Sequence, residues 1–86
     1  DNYPNQELYY IKNSSVDASS MNPKYIQYSI PNRTIHVILP EEVETYLSKD
    51  VILMANPNDT ETNTFLSSNG TRLIQSNYLL SVYYTK

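Results

Sequence analysis

Thr64-Phe65-Leu66-Ser67-Ser68-Asn69-Gly70-Thr71-Arg72-Leu73-Ile74-Gln75 contains the only glycine of this 86-residue chain. Asn-Gly between two runs of strand-forming residues predicts a β-hairpin, because a type I′ turn needs φ > 0 at both central positions. Glycine has no Cβ to oppose that conformation, and asparagine tolerates it better than most residues. On this reading Thr64–Ser68 and Thr71–Gln75 are paired strands and the chain is β-rich.

The neighbouring segments repeat the theme. Gln6 to Lys12 reads as a first strand centred on Leu8-Tyr9-Tyr10-Ile11. Asn13 to Lys24 is a long polar connection. Tyr25–Ile30 and Thr34–Leu39 both alternate, with Ile26, Tyr28, Ile35, Val37 and Leu39 falling on one face, so they predict a second hairpin turned at Pro31-Asn32. Pro40 to Leu47 is the one helix candidate. Proline suits its first turn, Glu41, Glu42 and Glu44 complement its positive end, and Val43, Tyr46 and Leu47 form a narrow apolar stripe. Val51-Ile52-Leu53-Met54-Ala55 is apolar without a break, the pattern of a central strand covered on both faces. Tyr78–Thr85 alternates as a last strand, and Ser76-Asn77 interrupts the path from Gln75.

The tally predicts one domain over 1–86 with a polar tail at residues 1–5. Its fold class is mostly β, a small antiparallel sandwich of about seven short strands. An α+β domain with a mixed sheet is the alternative if the helix near 40–48 crosses a sheet face.

Composition limits the chemistry. There is no cysteine, so no disulfide is available, and a small core must supply the stability. The net charge of −3 and the scattered Lys and Arg argue against a nucleic-acid partner. No apolar run is long enough to span a bilayer. The chain begins at Asp1 rather than Met, which fits a processed chain or a piece of a longer one.

Catalytic and metal signatures are missing. His36 is the only histidine and occupies the polar side of a strand, where a surface role suffices. One glycine excludes phosphate loops, dinucleotide fingerprints and the nucleophile elbow. Asp59 and Glu61 lack the spacing of a calcium loop. The expectation is therefore no enzyme, no cofactor and no metal.

What remains points to binding. Nine tyrosines stand against one phenylalanine and no tryptophan. Tyrosine offers a rigid contact surface with a hydrogen-bonding tip. Tyr9-Tyr10 and Tyr83-Tyr84 are adjacent pairs in strands, so alternation turns one of each pair away from the core. These four are the partner-binding candidates, with Tyr78–Thr85 as the candidate open edge for an added strand. Asn13, Asn32, Asn58 and Asn69 each open an Asn-x-Ser/Thr triplet, the acceptor pattern for N-glycosylation. The functional expectation is a binding or structural module of a surface, an assembly or a virion, with a protein, a further copy of itself or a glycan as partner. The alternative is a small soluble intracellular regulator or inhibitor that binds a host or bacterial protein. The glycosylation triplets favour an extracellular or surface setting, and the missing cysteine favours a cytosolic, bacterial, phage or viral one.

Overall fold

In a computed structural model the chain is described at residues 3–16, 26–28 and 30–86. The elements are β1 (Glu7–Ile11), β2 (Ile35–Ile38), a 3-10 turn (Pro40–Glu42) running into α1 (Val43–Tyr46), β3 (Val51–Ala55), α2 (Thr60–Ser68), β4 (Arg72–Ser76) and β5 (Ser81–Tyr84). Residues 26–28 add one helical turn.

The strands form a single sheet in the order β2-β1-β3-β5-β4. β1 pairs parallel with both β2 and β3, and β5 runs antiparallel to both β3 and β4. This is the mixed α+β arrangement. A seven-stranded antiparallel sandwich does not occur among the described residues.

Three expectations are corrected, each for a physical reason. Residues 64–68, expected as a strand, belong to the helix Thr60–Ser68. Asp59 caps the helix, its Oδ1 accepting from the Thr62 N–H at 3.2 Å. Thr62 and Leu66, four apart, bury one stripe. Gly70 follows the helix at φ +84 and Asn69 stays at φ −115, so Asn-Gly stops a helix instead of turning a hairpin. Second, residues 26–28 are helical, and Ile35–Ile38 pairs parallel with β1 rather than back onto 25–30. Tyr25 and Ser29 lie outside the described residues, as does the 17–25 part of the long polar connection. Third, β5 is an inner strand, so the terminal strand is not an edge; the edges are β2 and β4.

Other expectations hold. Val51–Ala55 is buried along its whole length. Val43 is buried, with Tyr46 and Leu47 packed on the same core. Asn77 interrupts the chain between β4 and β5, accepting from the Leu79 and Leu80 N–H groups at 2.8 and 2.9 Å.

Described residues cover both faces of the sheet. On the first face Tyr9, Ile11, Leu53 and Tyr83 pack against Val43 of α1 and Leu66 of α2. Both later crossovers, β2 to β3 and β3 to β4, lie there. The second face carries Leu8, Tyr10, Ile52 and Met54, and meets Ile26 and Ile30 from the β1-to-β2 crossover together with Tyr3. On the β5–β4 half of this face, Ile74, Leu80, Val82 and Tyr84 are only partly buried.

Candidate binding cavity and open strand edge

A cavity of about 460 Å³ lies on the second face. Leu8, Ile52, Met54 and Val82 form its floor, one or two residues from each of β1, β3 and β5. Tyr3, Ile30 and Arg33 border it on one side, and Ile74 and Gln75 of β4 on the other. The register explains this lining. Leu8 aligns with Ile52, and Met54 with Val82, so the pleat turns all four to one side.

β4 departs from the pleat. Leu73 pairs with Tyr83 and Gln75 with Val82, so Ile74 is an extra residue, a β-bulge. The bulge lets consecutive residues, Ile74 and Gln75, both border the cavity. Arg33 is positioned by two backbone acceptors. Nη1 donates to the Tyr3 carbonyl at 2.8 Å and Nη2 to the Gln6 carbonyl. Gln27 ties the same corner: Nε2 donates to the carbonyls of Ile30 (3.0 Å) and Arg33, and Oε1 accepts from the Ile35 N–H at 3.0 Å.

β4 is also an open edge. It is paired to β5 on one side and to no strand of described residues on the other. Leu73 faces the first side of the sheet, in line with Tyr83 and Leu53, and is 53 % exposed.

The tyrosine candidates separate. Tyr9, Tyr10 and Tyr83 are buried, Tyr10 to 0 % exposure. The expectation that one of each pair faces solvent is corrected: a mixed sheet with cover on both faces buries adjacent residues together. Tyr9 and Tyr83 belong to the first core and Tyr10 to the second. β3 also lies between β1 and β5, so the two pairs do not meet on one outer face. Tyr84 alone is half-buried on the second face, its ring 4.9 Å from Tyr3 and 5.6 Å from the Arg72 guanidinium carbon. Its hydroxyl donates to Asp50 Oδ1 at 2.6 Å, and that bond first of all raises its pKa. Among the described residues the most exposed tyrosines are Tyr28 and Tyr78.

His36 is exposed, stacked on Tyr9 at 5.0 Å with Nε2 3.9 Å from Glu7 Oε2. Among the described residues no three His, Asp or Glu side chains could together hold a metal ion. Asn32, Asn58 and Asn69 are exposed and Asn13 half-buried, its Oδ1 accepting from the Ser15 N–H. No described helix is long and apolar enough to cross a membrane.

The carboxyl ends of β1 and β3, where the crossovers part to opposite faces, are the usual ligand crevice of parallel sheets. Here most polar groups are joined to the chain's own backbone, although the buried Asp59 Oδ2 has no hydrogen-bond partner among the described residues. Asn56 Nδ2 donates to the Val16 carbonyl, and its Oδ1 accepts from the Asn58 N–H. Asn63 Nδ2 donates to the carbonyls of Asn56 and Asp59. The cavity and the β4 edge are therefore the stronger candidates. Sequence reasoning missed the cavity because its walls come from four strands whose order no local pattern reveals. No family model, curated protein or solved structure matches this chain.

Proposed function

We propose that the chain is a non-enzymatic binding module of a surface or an assembly, one that takes an extended protein segment along the free edge of β4. The observation that carries this reading is the edge itself, Arg72–Ser76, paired to β5 on one side and to no other strand among the described residues. An added strand would pair its backbone there and send alternate side chains to the two faces. Sheet edges are commonly guarded by proline, lysine or a bulge. This edge has the bulge at Ile74 and one charge, Arg72 at its start, and neither proline nor lysine. Exposed Leu73 offers an apolar contact on one face of the added strand.

The test is selection of random peptides of about ten residues, displayed on phage, against the wild-type domain. Peptides should enrich that bind wild type and weaken by about tenfold on Leu73→Lys, a substitution at an exposed site that adds an edge charge. Ser76→Pro, which removes an N–H turned away from β5 because Asn77 and Leu80 form the neighbouring hydrogen-bonded pair, should act in the same direction. No enrichment over bare support, or equal binding by both variants, would overturn the reading.

A further inference from the structure

We propose that the cavity on the second face binds the alkyl chain of a small amphipathic molecule. The site is distinct from the edge interaction, which uses the main chain of β4, although both touch Ile74 and Gln75.

Size comes first. An apolar cavity of about 150 Å³ admits benzene, and ligand sites generally span about 300 to 1,000 Å³. At about 460 Å³ the space is larger than one intruding side chain fills and fits a whole ligand. Shape comes next. The floor runs from Leu8 on β1 across β3 and β5 to Ile74 on β4. Neighbouring strands lie about 4.8 Å apart, so three spacings make a trough about 14 Å long. An elongated chain can lie along such a trough.

The chemistry of the walls agrees. Leu8, Ile30, Ile52, Met54, Ile74 and Val82 are apolar. Met54 adds an unbranched, adaptable side chain in the floor. Among the described lining residues the polar ones stand toward the ends: Arg33 and Tyr3 beside β1, and Gln75 on β4. An apolar middle with polar ends suits a molecule with an alkyl body and a hydrophilic head. The bulge that brings Ile74 and Gln75 together to the rim is the kind of irregularity that re-aims side chains at a site.

The experiment is methyl-detected NMR of the whole domain titrated with sodium decanoate below its micelle concentration, with butyrate and decanol as further arms. Decanoate should shift the methyl signals of Ile52, Met54, Ile74 and Val82 while those of Val43 and Leu66, on the opposite face, stay in place. Butyrate should bind more weakly by roughly a hundredfold or more, because it buries fewer methylenes. Decanol binding as tightly as decanoate supports the chain as the recognised part, and tighter decanoate binding adds the Arg33 charge. Val82→Phe and Ile74→Phe fill the trough from two strands and should each weaken decanoate by about tenfold. If Val82→Phe does not fold, Ile74→Phe on the edge strand gives the same reading. The proposal fails if the second-face methyls do not move, if both faces respond alike, if binding appears only with micelles, or if a folded filling variant binds as wild type does.

Discussion

The Tyr9 hydroxyl donates to Glu7 Oε1 at 2.7 Å, along one strand and on the face that also carries α1. Burial first, then the Glu7 hydrogen bond and charge, push the phenol from 10.0 up to about 12. A group whose folded pKa is raised contributes stability in full below its unfolded pKa and loses it as pH climbs to the folded value. Tyr9 should therefore make the domain less stable across pH 10 to 12. The check is the urea midpoint of wild type and Tyr9→Phe as pH rises. The variant should lose less in that window, and parallel curves would refute the assignment. Tyr84, also raised, is common to both proteins and cancels in the difference.

Gly70→Ala should destabilise by about 1 kcal/mol, since φ +84 is left-handed backbone that a Cβ disfavours. An added Cβ meets nothing within 4 Å, so the cost is conformational and free of clash. Gly70→Asn should cost less, because asparagine tolerates this region. Urea unfolding of both variants decides it.

That glycine also explains what the sequence could and could not reveal. A hairpin turn and a helix stop both ask for positive φ at Gly70, so Asn69-Gly70 is ambiguous by itself. The deciding residue is Asp59, ten positions before Asn69, whose cap starts the helix that Gly70 ends. Thr64 and Phe65 are strand formers, and they made Thr64–Ser68 resemble a strand. Val51–Ala55 and Pro40–Leu47 were legible because their signals are local: an unbroken apolar run, and a proline with acids ahead of an apolar stripe. The sheet order was not legible. Whether Tyr9 and Tyr84 face solvent depends on which strands flank them and which face the crossovers take, and parallel pairing leaves no turn signature. The cavity is walled by residues of several strands, so no single segment announces it.

Leu66→Ala tests how α2 is held. Leu66 is 0 % exposed and, with Thr62, is the buried part of that helix. Truncating a fully buried leucine costs about 3 kcal/mol through lost burial and the void left behind. Asp59→Ala removes the cap alone and should cost about 1 kcal/mol, with Asp59→Ser recovering part of it. Equal small losses for Leu66→Ala and Asp59→Ala would mean that packing of α2 contributes little.

Tyr83→Phe and Tyr84→Phe separate two hydroxyls that are adjacent in sequence and opposite in setting. The Tyr83 hydroxyl donates to Asn63 Oδ1 at 2.5 Å beneath α2, where the ring is 3 % exposed. Removing it leaves a shielded amide oxygen without that donor, and the loss should be about 1 kcal/mol. The Tyr84 hydroxyl meets Asp50 at the surface, where water replaces it readily, so Tyr84→Phe should change stability little. Tyr84→Phe should instead lower the charge-dependent part of alkaline unfolding, because its pKa is raised chiefly by Asp50. Thermal unfolding at neutral pH ranks the pair, and a larger loss for Tyr84→Phe would contradict the burial that distinguishes them.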